Sequence, residues 1–331
     1  IINNHESYKK FIKYNKNNTI KVYDNFISYN KIFKTKIDYT MSSIVGIDGL
    51  RPTIDIIKFT KKIAIANKES IICAWNLINK ELKKNKTEFI PVDSEHFSVW
   101  YALKNQSISD IDKLYLTASG GPLLNVPKKN FKNLKIHQII KHPNWQMGKK
   151  ISVDSCTMMN KVFEVIEAKK LFNLSYNKIS IIIHPKSYIH AIIKFNDGLI
   201  KLIAHETTME IPIYNTIEIG RIDKKISKKI NLNYLNKLAL QKVNEKKFPF
   251  VNLLKKLPIK NSFFETILVT ANDEYVKLFL NKKISYTELL KKLTKFVFKR
   301  EFTKYKLIEP KKITDILQLN KYVRSKISPK G

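Results

Sequence analysis

The chain has 331 residues, 44% of them hydrophobic, which predicts a globular protein with one large domain or two to three ordinary ones. Its formal net charge is +33, but only four of the 61 basic residues are arginine and the lysines are spread along the chain, so we expect a solvated basic surface and no specific nucleic-acid partner. Two cysteines without a CxxC motif indicate neither a disulfide framework nor a thiolate zinc site, and no apolar stretch approaches the roughly 18 residues that cross a bilayer.

Short β-branched runs alternate with helical patterns from about residue 18 to residue 118. Helices are predicted to start at Leu50, Lys68 and Glu95. The predicted strands are NTIKVY (18–23), TMSSIVG (40–46), KIAIA (62–66), TEFIPVD (87–93) and KLYLTAS (113–119). This alternation is typical of βαβ units and predicts a largely parallel sheet.

The rest of the chain mixes irregular, extended and helical segments. Residues 119–150 are predicted to be irregular, and a long loop with aromatic residues is more often functional than idle. Asp154 or Ser155 is expected to cap a helix that runs to about Phe172. One strand is predicted at KISIIIH (178–184), a hairpin at AIIKF (191–195) and LIKLIA (199–204), a lysine-rich linker at 223–246, and helices near 248–256, 262–281, 285–298 and 310–327.

The motif PVDSEH (91–96) places two acidic residues, Asp93 and Glu95, close together in a chain that is otherwise rich in lysine. A strand is predicted to end at Asp93, and if the extended backbone persists, Asp93 and Glu95 face the same side. Two neighbouring carboxylates repel each other unless a cation or a proton lies between them, which indicates Mg²⁺ or Mn²⁺. The alternative is that Ser94 only caps the next helix, with Glu95 favourably placed in its first turn.

A second polar group lies on the helix predicted after Asp154. Asn160, Lys161 and Glu164 stand at i, i+1 and i+4 and therefore share one side. Ser119 and Ser155, together with Asn160 and Lys161, would suit a phosphate group, because hydroxyls, an amide and an ammonium would meet a helix dipole. The alternative is a solvated helix face with an ordinary ion pair between Lys161 and Glu164.

The loop before that helix contains His142 and Trp145, followed by Met147 and Gly148. A tryptophan and a methionine in such a loop can close over a substrate and exclude water. The alternative is that Trp145 is an anchor of the hydrophobic core. Three further histidines lack the spacing of metal ligands and are interpreted as structural: His184, His190 and His205.

Six ordered motifs closely resemble the 1-deoxy-D-xylulose 5-phosphate reductoisomerase family. They are ANKES (66–70), PVDSEH (91–96), LTASGGP (116–122), HPNWQMGKKISVDS (142–155), TMMNK (157–161) and IHPKSYIH (183–190). The resemblance is strong over about residues 40–215 and extends more weakly through ILVTANDEYVKLFL (267–280). It implies an α/β fold and a homodimer that rearranges 1-deoxy-D-xylulose 5-phosphate and reduces it with NADPH to 2-C-methyl-D-erythritol 4-phosphate.

The resemblance also implies a role for particular residues. The metal ligands, for Mn²⁺ or Mg²⁺, would be Asp93, Glu95 and Glu164. The catalytic and substrate-binding residues would be Lys68, Ser94, Ser119, His142, Trp145, Met147, Ser155, Asn160, Lys161 and Met209, with Trp145 and Met147 in a mobile lid. The residues that touch the nucleotide would be Asn67, Glu69 and Gly148.

The chain departs from the family pattern at several positions. No glycine-rich nucleotide-binding turn occurs near Ile1, so we expect an N-terminally incomplete chain that lacks the main nucleotide-anchoring loop. Leu123 replaces Phe, Cys156 replaces Ala, and Val162 and Phe163 replace Gly and Leu. The family motif LGxPDM reads AHETTM (204–209), which alters the lining near Met209.

The expected organisation has four parts. They are a truncated Rossmann-like NADPH-binding domain (1–93), an α+β catalytic domain (94–222), the linker (223–246) and a C-terminal α-helical domain (247–331). We expect a bacterial cytoplasmic location, or alternatively a relict plastid, and no membrane partner. Two rival functions are a decayed, non-catalytic remnant or basic binding protein, and a sugar-phosphate isomerase that lacks the reduction step.

Overall fold

The computed structural model describes residues 1–2, 4–16, 19–24, 29–217, 232–236 and 238–328. Its first part contains a three-stranded parallel sheet in the order β1-β2-β3. The elements in chain order are α1 (His5–Tyr14), α2 (Tyr29–Ile32), β1 (Ile37–Ser42), α3 (Leu50–Ile56), β2 (Thr60–Ile65), α4 (Lys68–Asn85), β3 (Glu88–Pro91) and α5 (Ser94–Ala102). The predicted parallel βαβ units are thus confirmed for β1, β2 and β3.

The strand predicted at residues 18–23 is wrong. In the described part of this run, residues 19–23, no strand forms, and the neighbouring Asp24 makes only an isolated bridge with Ile2. None of these side chains is buried. A β-branched run without a packed face or a neighbouring strand gains too little to order as a sheet.

The sheet places two helix starts at the same edge. β2 and β3 are parallel, so α4, which begins just after β2, and α5, which begins just after β3, start at the carboxyl ends of adjacent strands. Asn67 caps α4 by accepting a hydrogen bond from the amide of Ser70. Lys68 and the PVDSEH motif therefore lie side by side, at the edge where α/β sheets bind ligands.

The second part is built on a mixed five-stranded sheet in the order β7-β6-β4-β5-β8, whose last strand, β8, is the short segment Gln241–Lys242. Its elements up to residue 217 are β4 (Ile111–Ala118), α6 (Ile136–Ile140), α7 (Lys149–Thr157), α8 (Met159–Leu171), β5 (Ile179–Ile183), β6 (Ile189–Phe195), β7 (Ile200–Ala204) and α9 (Glu210–Ile217). β4 does not belong to the first sheet: it pairs parallel with β5 and antiparallel with β6. The predicted β6–β7 hairpin is confirmed.

The helix predicted to start at Asp154 or Ser155 starts earlier and is divided in two. α7 follows Gly148, and both predicted caps lie inside its last turns. Met158 then adopts a left-handed conformation, with φ of 65°, and α8 begins at Met159. The residues between 119 and 150, predicted to be irregular, also contain α6 and a 3₁₀ helix at Lys128–Asn133.

The third part is helical, as predicted. It comprises α10 (Leu232–Leu235), β8 (Gln241–Lys242), a 3₁₀ helix (Pro249–Lys256), α11 (Phe264–Leu280), α12 (Tyr286–Val297), a 3₁₀ helix (Arg300–Lys306) and α13 (Ile313–Ile327). Residues 223–231 and 237 of the predicted linker lie outside the described residues. The described remainder is not featureless, because it contains α10 and β8, and β8 pairs with β5.

One hydrophobic cluster joins the first and third parts through α4, α7 and α8. Representative members, each at most 1% exposed, are Ile72, Val153, Phe163, Leu268 and Leu289. This shared core holds α7 and α8 rigidly between the two parts. Within the described part of the chain, no helix combines the length and the apolar character that a membrane span requires.

Candidate active site

An open cavity with an empty volume of about 840 Å³, its solvent-filled mouth included, lies where the two sheets and the α7–α8 pair meet. All thirteen residues predicted to bind metal or substrate line it: Lys68, Asp93, Ser94, Glu95, Ser119, His142, Trp145, Met147, Ser155, Asn160, Lys161, Glu164 and Met209. They come from segments separated by up to 141 positions. The fold therefore brings together the full set that the sequence motifs indicated.

Three carboxylates converge at the base of this cavity. The ligand atoms of Asp93, Glu95 and Glu164 all lie within 4.8 Å of one another. Asp93 is the N-cap of α5 and accepts a hydrogen bond from the amide of Glu95. The predicted reason for the pairing was thus wrong: the extended backbone ends at Asp93, Ser94 is already helical, and the cap geometry directs both acids into the cavity.

Two lysines lie against these carboxylates. The Nζ of Lys68 lies 2.9 Å from Asp93 Oδ2 and 3.6 Å from Glu164 Oε1. The Nζ of Lys161 lies 2.6 Å from Glu95 Oε1 and also contacts Glu164. Asn160 donates to the same Glu164 carboxylate and accepts from Lys68 at 2.8 Å. The polar face of α8 is consequently buried, and the alternative of a solvated face is wrong.

The surroundings of Glu164 and Asp93 shift the pKa of their carboxyl groups in opposite directions. Burial raises the pKa of Glu164, and the neighbouring charges of Glu95 and Asp93 raise it further. Burial alone would raise the pKa of Asp93, but Lys68 and His96 beside it hold that pKa well below its ordinary value. A carboxylate that is costly to ionise among other carboxylates is the situation that a divalent cation relieves.

The donor set fits a hard divalent ion. Three carboxylate oxygens without a neighbouring thiolate suit Mg²⁺ or Mn²⁺, which prefer oxygen ligands, rather than a tetrahedral zinc site. Glu164 contributes from the fully buried part of α8 and is only 1% exposed. The residues present therefore fit the metal that the motifs implied.

A second group of polar side chains lies at the other end of the cavity. His142 Nδ1 accepts from the amides of Asn144 and Trp145, at 3.1 and 3.0 Å, so its proton is on Nε2, which donates to Ser119 Oγ at 2.9 Å. Burial lowers the pKa of His142 to about 4, which keeps the ring neutral. Ser119 Oγ also accepts from the amide of Gly121 at 3.0 Å, which leaves its own hydrogen to donate to a ligand.

α8 contributes a helix dipole between this group and the carboxylates. Asn160 and Lys161 lie in the first turn of α8, where the amide groups carry partial positive charge. Ser155 lines the cavity from the last turn of α7, so its predicted place at a helix N-terminus is wrong. A serine at the end of α7 and an asparagine and a lysine at the start of α8 still face the same space, because the chain breaks at Met158 between them.

The 142–148 loop covers one side of the cavity. Trp145 and Met147 line it, and the Trp145 ring stands edge-on to the ring of His190, with centroids 6.0 Å apart. Asn144 anchors the loop by donating to Pro185 O at 2.6 Å and to Ser187 Oγ at 2.9 Å. Trp145 therefore lies over the cavity and outside the hydrophobic clusters of the core.

The three residues predicted to touch the nucleotide do not line this cavity. Asn67 uses its amide to donate to the carbonyls of Ile44 and Gly46, which fastens the loop after β1 to the start of α4. Glu69 is paired with Lys150 at 2.7 Å. Gly148 precedes α7, and a Cβ there would meet no atom within 4 Å. They lie beside the cavity rather than in it.

Sequence reasoning missed several cavity residues. Eight of them line the cavity without having been predicted: Thr117, Ala118, Gly120, Gln146, Ile151, Met158, Ser187 and His190. Behind Asp93, the Nδ1 of the buried His96 lies 3.3 Å from Asp93 and 3.4 Å from Glu167, while its Nε2 donates to the Glu164 carbonyl at 2.9 Å. Most of these residues lie within or beside the six motifs, which is the signal that could have found them.

Three family models match the chain. The 1-deoxy-D-xylulose 5-phosphate reductoisomerase model matches residues 1–75, and two models of the C-terminal domain of the same enzyme match residues 89–172 and 205–326. The reductoisomerase of Pelagibacter ubique is 54% identical over 330 residues, which cover 99% of this chain and 85% of that protein. The reductoisomerase of Clostridium tetani is 38% identical over 88% of this chain and 76% of its own length.

Solved structures of reductoisomerases have a fold similar to that of this chain. The reductoisomerase of Zymomonas mobilis in complex with NADPH superimposes with a TM-score of 0.82 at 26% identity, over 98% of this chain and 83% of that one. A DOX-P reductoisomerase with fosmidomycin and magnesium gives a TM-score of 0.84 at 27% identity, over the same shares. With the family models and a relative of 54% identity in agreement, the chain belongs to the 1-deoxy-D-xylulose 5-phosphate reductoisomerase family.

Proposed function

We propose that the protein is a metal- and NADPH-dependent oxidoreductase that converts 1-deoxy-D-xylulose 5-phosphate into 2-C-methyl-D-erythritol 4-phosphate, a step of non-mevalonate isoprenoid biosynthesis. The observation that carries the proposal is the convergence of three carboxylates and a set of phosphate-type donors in one cavity. The relatives named for this activity and the related structures with NADPH and magnesium support the same reaction.

Asp93, Glu95 and Glu164 would hold the divalent ion. When bound, the ion supplies electrophilic stabilisation of negative charge that develops on substrate oxygens. Lys68 donates to Asp93 and Asn160 donates to Glu164, so they hold these ligands in place and are suited to contact the reacting end of the substrate. Ser94, whose hydroxyl donates to Glu95 at 2.6 Å, orients that ligand.

The phosphate end of the substrate would bind between α7 and α8. Ser119 has a free hydroxyl hydrogen, because His142 and Gly121 already donate to its oxygen. Ser155, Asn160 and Lys161 add a hydroxyl, an amide and an ammonium on the opposite wall. Fixing the phosphate in this way contributes orientation to the reacting end of the sugar, and Trp145, Met147 and Met209 would exclude water around it.

The nucleotide would lie beside the cavity, against Asn67, Glu69 and Gly148. Asn67 and Glu69 follow β2 at the carboxyl edge of the parallel sheet, which is where α/β sheets bind dinucleotides. We propose a domain division into residues 1–93, which bind most of the NADPH, residues 94–222, which bind most of the substrate, a linker at 223–246 and a helical domain at 247–331. In this division Lys68 and Asp93 reach the substrate site from the first domain, and Gly148 reaches the nucleotide from the second. NADPH would supply the hydride for the reduction step.

We also propose a cytoplasmic homodimer. β7 is an edge strand of the second sheet, and three large apolar side chains on or beside it are 46–63% exposed: Leu199, Ile200 and Leu202. An exposed apolar edge strand favours pairing with a second copy. The cytoplasmic location accords with Cys73 and Cys156, which are buried free thiols.

The test is oxidation of NADPH by the purified protein with Mn²⁺ and 1-deoxy-D-xylulose 5-phosphate. We expect oxidation that requires both metal and substrate and stops on addition of a chelator. Formation of a rearranged aldehyde without oxidation of NADPH would indicate an isomerase only. Absence of both reactions would indicate a remnant or binding protein and would refute the proposal.

A further inference from the structure

Two histidine rings are stacked directly beneath the 142–148 loop. The rings of His190 and His205 are nearly parallel, with centroids 3.7 Å apart and an interplanar angle of 14°. On the cavity side, Trp145 stands edge-on to His190 at 74°. The three rings belong to three separate segments: the loop, β6 and the stretch after β7. His190 lines the cavity, whereas His205 lies behind it.

We propose that His205 is a positioning residue: it supports the ring of His190 from behind and so provides a firm surface on which Trp145 closes over the substrate. This proposal rests on the function proposed above. It assigns a role to a buried histidine that the reaction outlined above does not use.

Hydrogen bonds fix the orientation of both rings. The Nε2 of His190 lies 3.2 Å from the carbonyl of His205, and the Nδ1 of His205 lies 2.7 Å from the carbonyl of Glu206. Carbonyl oxygens only accept, so each of these ring nitrogens carries a proton. The backbone is also held in place, because the amide of His205 donates to Tyr188 O at 3.0 Å and Thr117 Oγ1 lies 3.2 Å from the carbonyl of His190.

The stack is buried and uncharged. His190 is 2% exposed and His205 is 8% exposed. Burial lowers the pKa of both rings, so two neutral rings face each other and do not repel as two imidazolium ions would. The centroid spacing of 3.7 Å places the two rings nearly face to face, so their flat faces are in close van der Waals contact.

The Nε2 atom of His205 distinguishes between the contacts that could hold the ring in place. This atom is buried and has no hydrogen-bond partner among the described residues. Burying an unpaired nitrogen is unfavourable, so the hydrogen bond from Nδ1 to the Glu206 carbonyl sets the orientation of the ring but does not explain why the ring is buried. The contact that remains is the flat face of the ring against His190, and this contact accounts for where the ring lies.

The test compares His205→Ala with His205→Phe, which keeps a planar ring, and with Thr207→Ala, a control on the same segment. We expect His205→Ala to raise KM for the sugar phosphate roughly three- to tenfold, the range that corresponds to one aromatic pair, with kcat changed less than about twofold. His205→Phe should restore KM to within about twofold, and Thr207→Ala should leave both constants unchanged.

A double-mutant cycle with Trp145→Ala identifies the route of the effect. If His205 acts through His190 on Trp145, then His205→Ala should change KM less than about twofold in the Trp145→Ala background. An effect of full size in that background, a His205→Phe variant as impaired as His205→Ala, or a His205→Ala variant with unchanged KM would overturn the proposal. Should His205→Ala not fold, His205→Leu replaces it with the same expectations.

A spectroscopic measurement separates this proposal from the proposed function. With Trp75 and Trp100 changed to phenylalanine, Trp145 is the only tryptophan left. Without substrate, His205→Ala should make the emission of Trp145 more accessible to acrylamide, and His205→Phe should not. Unchanged quenching in His205→Ala would refute the stack even in an active enzyme, whereas an inactive wild type with the expected quenching would refute only the function.

Discussion

Replacing Glu164 by glutamine removes one charged ligand from the proposed metal site at nearly constant size. Loss of a hydrogen-bond partner outside the ligand shell of a metal typically costs roughly 10- to 100-fold in affinity or activity. A ligand itself should cost more, so we expect kcat/KM at fixed Mn²⁺ to fall by more than about 100-fold.

The fold should tolerate this change. Removing one partner of a buried ion pair costs roughly 3–5 kcal/mol when the other charge is left uncompensated. Here each lysine keeps another carboxylate, because Lys161 stays 2.6 Å from Glu95 and Lys68 stays 2.9 Å from Asp93. Since burial also disfavours the charge on Glu164, we expect the free energy of unfolding to change by at most about 1–2 kcal/mol.

The assay pairs steady-state kinetics over a Mn²⁺ titration with urea unfolding of the metal-free protein. The matched control is Glu265→Gln, the same substitution at an equally buried carboxylate that pairs with Lys170 at 3.1 Å. It should lower stability while leaving kcat within about threefold. A wild-type rate for Glu164→Gln at every metal concentration would refute the assignment of the third ligand.

Three further predictions concern the surroundings of the site. Lys150→Met should destabilise the protein by roughly 3–5 kcal/mol in urea unfolding, because Lys150 is the cation that three carboxylates from α4, α7 and α11 share; an unchanged midpoint would contradict this. Burial raises the pKa of Asp273 to about 6. The free energy of unfolding of the wild type should therefore fall by about 1–3 kcal/mol relative to that of Asp273→Asn as pH rises from about 4 through about 6. A difference between the two proteins that does not depend on pH would contradict the raised pKa. Gly49→Ala should lower the melting temperature, because a Cβ there would clash with the Asn67 side chain and the backbone oxygen of Ile44, whereas Gly148→Ala should not. Equal melting temperatures would show that the loop after β1 moves to accommodate the methyl group.

Much of the fold could be predicted from local pattern. The strand and helix starts around Lys68 and Asp93, the β6–β7 hairpin and the C-terminal helices all follow from periodicity, caps and turn residues. The failures also have local causes. Residues 19–23 have β-branched side chains but no packed face, and the break at Met158 requires a left-handed methionine that no propensity favours.

The sequence predicted thirteen of the residues that line the cavity, but it did not predict their geometry. Asp93 and Glu95 were expected to meet through an extended backbone, and they meet through a helix cap. Ser155 was expected at a helix N-terminus, and it lies at the end of α7. The proposed roles of these side chains are unchanged by the two wrong predictions. A carboxylate or a hydroxyl needs only to reach the cavity, whichever element carries it.

Local pattern and motifs in the sequence predict which chemical groups the protein carries and in which order: acids in PVDSEH, polar residues around Asn160, an aromatic loop at 142–148 and apolar faces at helical spacing. The folded structure adds that Asp93 lies against Lys68 and His96, that Lys161 is buried, and that His205 stacks on His190. The physical reason is that periodicity shows which face of an element is apolar, but not which other face it packs against. That choice depends on the packing of α4, α7, α8 and α11 around one core, and it places distant residues within a few ångströms of one another.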